Sequence, residues 1–222
     1  MSRDTWDVIV IGAGPAGAMA ALGCARGGAS VLLLDKQRFP RDKTCGCCLN
    51  AAAIAQLDAT GLGSLPVSSG GQRVDSLRVA CGRGRASIPL PPGYSLSRAA
   101  LDAGLVSAAV DAGAVFRDGQ VARVGAVEGQ GRNVVCGEER LAGRCVVLAG
   151  GLGVRGEDGD ESQETIRRSD PRIGLSAIVE DDGAEYGPGV IHMACGRGGY
   201  VGLVRLEDGR SAGAYIVTGG IG

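Results

Sequence analysis

Aromatic residues are scarce in this chain: two phenylalanines, four tyrosines and one tryptophan make up 3% of its 222 residues. So few ring faces argue against a single-stranded nucleic-acid binder, which needs them for base stacking. No long run of lysine or arginine occurs and the formal net charge is −1, so neither nucleic acid nor an anionic membrane is an expected partner. The longest apolar stretches are strand-sized, and no transmembrane segment is expected. Met1 to Thr5 enter the first strand directly, with no apolar leader core. The single histidine, His192, lies far along the chain from Cys45-Gly46-Cys47-Cys48, so a zinc site would lack ligands at a suitable spacing and no metal is expected. No Ser/His/Asp triad or paired-carboxylate site stands out. Eight cysteines without secretory features read as reduced thiols in a cytoplasmic protein.

Glycine, by contrast, is abundant, and its first occurrences are ordered. Asp7-Val8-Ile9-Val10-Ile11 is followed by Gly12-Ala13-Gly14-Pro15-Ala16-Gly17, then by an Ala-rich stretch to Arg26 and by Val31-Leu32-Leu33-Leu34-Asp35. This is strand, glycine turn, helix, strand, acid, the order of a dinucleotide-binding crossover. Gly12 permits the tight turn, Gly14 lets the backbone approach a pyrophosphate, and Gly17 lets the helix pack against the strand. The helix N-terminus offers free N–H groups and the positive dipole end to phosphate. Asp35, about 20 residues beyond the turn, stands where a carboxylate grips ribose hydroxyls. A carboxylate there would repel a 2′-phosphate, which favours FAD or NAD over NADP. The spacing alone leaves FAD and NAD both open.

Further along, Asn50 to Gly61 reads as a helix, and Ser76–Cys81 with Arg85–Leu90 as a hairpin ended by Pro89, Pro91 and Pro92. Ser97 caps a helix that Gly113 stops. Short strands follow at Ala114–Arg117, Gln120–Val127, Asn133–Cys136 and Arg144–Ala149. Gly150 to Asp170 is acidic and irregular, the expected boundary. Beyond it only strands are expected: Ile173–Glu180, Val190–Ala194, Tyr200–Leu206 and Ser211–Thr218, with Asp208-Gly209 as a hairpin turn.

These residues together resemble the flavoprotein superfamily of aromatic hydroxylases, flavin halogenases and geranylgeranyl reductases. The glycine turn with Pro15, the loop Arg38-Phe39-Pro40-Arg41-Asp42-Lys43-Thr44-Cys45-Gly46, the helix opening Ser97-Arg98-Ala99-Ala100-Leu101-Asp102 and the strand Arg144 to Ala149 carry the resemblance. The loop is most similar to the geranylgeranyl-reductase branch. The resemblance implies an α/β fold: a Rossmann-like FAD-binding domain with a parallel sheet over residues 1–155, an inserted hairpin region at about 62–95, and the start of a mainly β substrate domain over 171–222. It implies FAD as cofactor, held by Gly12, Gly14, Pro15, Ala16, Gly17, Asp35, Lys36, Arg98 and Val121, a small-molecule substrate, and NAD(P)H as electron donor. The implied activity is that of an FAD-dependent oxidoreductase, either reducing double bonds or hydroxylating, on a lipid-like, polyketide-like or aromatic molecule. Two departures stand out. Ala149-Gly150-Gly151 lacks the acid that the family carries there, and the sequence ends before the family's later Gly-Asp motif, as expected of an N-terminal portion. On that expectation Ile178, Val190, Val201, Leu203 and Ile216 form apolar faces awaiting partners.

Two further readings stay open: a flavin disulfide reductase using Cys45 with Cys48, and a catalytically silent FAD-binding or interaction fragment. Cys45 is the candidate catalytic residue, reactive if Lys43 stabilises its thiolate. The plainer reading makes these cysteines small side chains filling space at a helix start. Arg98 opposes the macrodipole of its helix and calls for an anion nearby, for which the resemblance supplies the cofactor. His192 reads as a packed or surface residue.

Overall fold

The computed structural model describes residues 5–151, 172–180 and 186–218, the last eight and residues 172–173 as backbone only. The acidic boundary segment expected at Gly150 to Asp170 therefore lies almost wholly outside the described residues. The chain divides into two compact units, residues 1–41 with 102–165 and residues 42–101 with 166–222.

The first unit is built on a six-stranded sheet of β6 (Val115–Arg117), β2 (Val31–Leu34), β1 (Thr5–Ile11), β9 (Glu139–Leu148), β8 (Gly131–Cys136) and β7 (Ala122–Glu128), in that order. The first four run parallel and the last three form an antiparallel meander. All four residues of β2 are buried, as a parallel strand covered on both faces requires. Helix α1 (Pro15–Arg26) crosses from β1 to β2, and Ala18, Ala21, Leu22 and Ala25 face inward. Gly28, with φ +83°, turns the chain back towards β2. Trp6, Ile9, Leu32, Leu34, Val134, Cys136 and Leu141 make one continuous core across the parallel and meander strands.

The second unit is a seven-stranded sheet ordered β10 (Arg172–Val179), β13 (Ser211–Thr218), β12 (Gly199–Arg205), β11 (Val190–Gly196), β4 (Gln72–Cys81), β5 (Gly84–Ser95) and β3 (Cys48–Leu49). Helix α2 (Ala51–Ala59) is capped by Asn50, whose Oδ1 accepts the Ala53 N–H at 2.9 Å, and a single turn, α3 (Leu65–Ser68), precedes β4. Helix α4 (Arg98–Asp111) opens on Ser97, whose hydroxyl accepts the Ala100 N–H at 3.0 Å. No helix among the described residues is long and apolar enough to cross a membrane.

Three sequence expectations change here. The hairpin region is not an insert in the first domain: β4 pairs in parallel with β11, so residues 42–101 share a sheet with the C-terminal strands. The prolines do not end the hairpin, since β5 runs on to Ser95. From Gly84 to Gly93 only β4 pairs with β5, and a strand edge tolerates residues that lack an N–H. A register shift between Val74 and Ser76 absorbs the irregularity opposite Pro89 and Gly93. Finally, Ile178 is not an orphan: it packs with Ile191 and Cys45 on the cluster of Cys47, Val74, Val204 and Leu206. Val190, Val201 and Leu203 are half-buried, and the side chain of Ile216 lies outside the described residues.

Candidate cofactor site

The turn after β1 has no room for side chains. Gly12 has φ +104°, and a Cβ there would sit 2.5 Å from the Ala149 carbonyl oxygen; one on Gly17 would sit 1.7 Å from the Gly12 oxygen. Gly14 is the N-cap of α1 and Pro15 its first residue. No side chain caps this helix and no acid occupies its first turn, so its leading N–H groups and positive dipole end are left for an anion. Ala16 lies in that first turn.

Asp35 follows β2 and reaches back to the turn. Its Oδ2 accepts the Ala13 N–H at 2.8 Å and its Oδ1 the Gln37 N–H at 2.9 Å, with the residue 6% exposed. Four lone-pair positions on a carboxylate leave capacity beyond these two bonds. Lys36 beside it is exposed. The Asp35 carbonyl accepts the Gln120 N–H at 2.8 Å, which ties the segment carrying Val121 to the same strand end. Val121 itself is 59% exposed.

Arg41 belongs to the loop motif in sequence, and the structure adds its place in the site. Its Nη2 lies 3.4 Å from Asp35 Oδ2, its Nη1 lies 3.3 Å from Asp102 Oδ2, and its guanidinium rests 4.9 Å from the centre of the Phe39 ring. The two phenylalanines of the chain hold this loop: Phe39 meets Phe116 edge-on at 5.1 Å, and the Phe39 N–H donates to Asp118 Oδ2 at 2.8 Å. Arg41 Nε is buried with no hydrogen-bond partner, and Nη1 meets Asp102 as an ion pair without a hydrogen bond. A buried guanidinium with unused donors beside a glycine cradle fits a phosphate- and ribose-bearing cofactor. The signal available in the sequence was a phenylalanine two residues before an arginine, which does not say where the arginine points.

In the second unit the cysteine loop is organised differently from expectation. Cys47 adopts φ +53°, directs its N–H to Cys45 Sγ at 3.4 Å, and sets its own Sγ 3.8 Å from the Cys45 carbonyl oxygen. The Cys47 thiol and N–H, together with the Arg98 guanidinium, hold the Cys45 thiol far below its ordinary value, at about 5. Cys47 is pushed upward by the bond to Cys45 and by burial, so the pair keeps its proton on Cys47. Desolvation of its sulfur and the neighbouring Cys45 push Cys48 up to about 11. Lys43 is not among the groups that stabilise the thiolate, because Arg98 takes that place. Arg98 thus finds its anion in Cys45. The partner of Cys45 is Cys47 rather than Cys48, and all eight cysteines are free thiols. Among the described residues no group of three or more His, Cys, Asp or Glu side chains could hold a metal ion.

Residues 7–40 match the sequence model of the family described as FAD dependent oxidoreductase. Over that stretch the chain is similar to the FAD-dependent oxidoreductases. By this match the chain takes FAD as its cofactor. It is 53% identical to a menaquinone reductase of Mycobacterium tuberculosis (strain CDC 1551 / Oshkosh) over 60 residues, which are 27% of this chain and 15% of the relative. It is also 38% identical over 159 residues to a probable electron transfer flavoprotein-quinone oxidoreductase of Escherichia coli (strain K12), covering 67% of this chain and 36% of the relative. Among solved structures, a geranylgeranyl bacteriochlorophyll reductase-like protein from Thermoplasma acidophilum superposes with a TM-score of 0.74 at 20% identity, over 97% of this chain and 57% of that one. This last likeness shows the fold. The chain thus spans 15% and 36% of these two curated relatives.

Proposed function

We propose that this oxidoreductase reduces a double bond or quinone group in a lipid-like small molecule, with NAD(P)H as the electron donor. The observation that carries the reading is the cradle formed by Gly12, Gly14 and Gly17 with buried Asp35 and Arg41. Sequence likeness to a menaquinone reductase supports the reductive branch and a quinone substrate over hydroxylation. FAD, when bound, supplies two-electron transfer as a hydride.

The roles of the chain's own residues follow from their chemistry. The leading N–H groups of α1, at Ala16 and Gly17, would hold the pyrophosphate, Pro15 before them having no N–H. Asp35 accepts a ribose hydroxyl while its other bonds keep the turn closed, and the unused donors of Arg41 serve the same adenosine half. Lys36 and the backbone at Val121 flank that half. Arg98 and Cys47 together keep Cys45 ionised, with the proton on Cys47, so the loop presents a fixed negative sulfur next to a thiol donor.

The test is direct. Purified protein is scanned for flavin absorption, then incubated with menaquinone and NADPH and the product weighed by mass spectrometry. A gain of two hydrogens supports reduction. A gain of one oxygen would move the assignment to hydroxylation. Unchanged substrate with flavin present would leave FAD binding and overturn the reductase reading. Asp35→Asn is expected to weaken FAD retention at least tenfold on gel filtration.

A further inference from the structure

The second unit carries on its own sheet a groove of about 460 Å³ whose composition follows from strand register. His192 on β11 lies beside Arg78 on β4 and opposite Leu203 on β12, and Arg78 is opposite Ser87 on β5. One step along the same face, Ala194 lies beside Ala80 and opposite Val201, and Ala80 is opposite Arg85. Alternation puts these eight side chains on one face, while Ile191 points through the sheet to the cysteine cluster on the other. Two alanines in the middle make a trough. Val201 and Leu203 wall it on one side, and the two arginines on the other. Tyr186 stands at the end by His192, its ring edge-on to the imidazole at 5.0 Å and 85°.

The polar groups here lack partners. His192 Nε2 is buried with no hydrogen-bond partner. Arg78 and Arg85 are exposed, neither has an ion pair or hydrogen bond among the described residues, and none of the described residues that line the groove is a carboxylate. Arg78 and Arg85 are diagonal neighbours on adjacent strands, close enough for long like-charged side chains to repel each other. An anion between them removes that cost, and a planar guanidinium suits a carboxylate by two parallel N–H bonds. The volume falls in the range of small-molecule pockets, which are mostly apolar with a few converging polar groups.

We propose that this groove binds a free monocarboxylate with an apolar body, its head between Arg78 and Arg85 and its tail along Ala80, Ala194, Val201 and Leu203. This reading does not rest on the proposed reaction. The test titrates the 222-residue chain with decanoate by calorimetry, with decanol and with phosphatidylserine vesicles as separate arms. Expected are saturable binding of one decanoate per chain and at least tenfold weaker binding of decanol. In Arg78→Gln/Arg85→Gln, decanoate should bind at least tenfold more weakly and no better than decanol, with circular dichroism unchanged. Equal binding of decanoate and decanol to the unaltered chain would overturn the proposal, as would decanoate binding that survives the double substitution. Absence of saturable decanoate binding, or binding to vesicles alone, would overturn it too. Should the double variant misfold, the comparison of decanoate with decanol on the unaltered chain still decides.

Discussion

Two glycines of α1 have opposite environments and should respond oppositely to the same change. A Cβ on Gly17 would overlap the Gly12 carbonyl, whereas one on Gly23 meets nothing within 4 Å. Gly17→Ala must push backbone aside, so a loss of ~1–3 kcal/mol is expected, with FAD retention lost alongside. Gly23→Ala should gain ~0.5–1 kcal/mol by restricting the unfolded chain in a helix interior. Urea denaturation of the two variants checks both. The cysteine loop makes a second prediction at this scale. Cys45 is ionised in the fold from about pH 5 upward, because Cys47 and Arg98 favour its thiolate. Its alkylation by iodoacetamide should therefore stay nearly constant from pH 8 to 6.5 and fall only as pH drops through about 5. Cys47→Ala should move that midpoint up further than Arg98→Gln, since the bond from Cys47 is the larger cause. The stability this thiolate contributes has the same sign. It is full above the unfolded value near 9 and lost as pH falls through the folded one. A midpoint near 8.5 in peptide-mapped labelling would contradict the geometry of the loop.

At the scale of elements, helix starts were legible because a cap is a local event. Asn50 and Ser97 each bond the N–H three residues on, as their positions before Ala-rich runs imply. Asn50→Ala and Ser97→Ala should each cost about 1 kcal/mol in thermal or urea unfolding. The Ser97 site is more constrained, since its N–H also donates to Glu207 Oε2 at 3.0 Å, a bond the substitution leaves intact. Strand ends were less legible. Pro89, Pro91 and Pro92 look like a stop in sequence, yet β5 passes through them because β3 pairs only with Tyr94 and Ser95. Whether a proline breaks a strand depends on which edge is free, and that is a property of the neighbours.

For the whole molecule the dividing line does not follow chain order. Residues 42–101 belong with 166–222, joined where Ser76 to Cys81 pair with Val190 to Cys195. A chain cut after Thr165 retains every strand of the six-stranded sheet but strips β11 from β4 and removes Val204 and Leu206 from the Cys47–Val74 cluster. Hydrogen exchange on that shortened chain should show amides of β1 and β2 still protected and those of β4 and β5 exchanging freely. It should also aggregate, because a bared strand edge pairs with other chains. Retained protection in β4 and β5 would mean that the hairpin stands without the C-terminal strands.

The glycine turn after β1 was determined by the sequence itself. Its requirements are local: a positive φ at Gly12, no Cβ at Gly17, an apolar strand on either side, and an acid where β2 ends. Each is written in a few adjacent residues, so the pattern survives without knowledge of the rest of the chain. The tertiary structure decided the partnerships. Arg41 met Asp35 and Asp102, Arg98 rather than Lys43 met Cys45, and His192 came to lie beside Arg78. Such pairs depend on which strands share a sheet and in what register. Closing a longer loop costs little more than closing a shorter one, so distance along the chain carries almost no information about them. A shift of one residue in the β4–β11 register would have sent Arg78 and His192 to opposite faces.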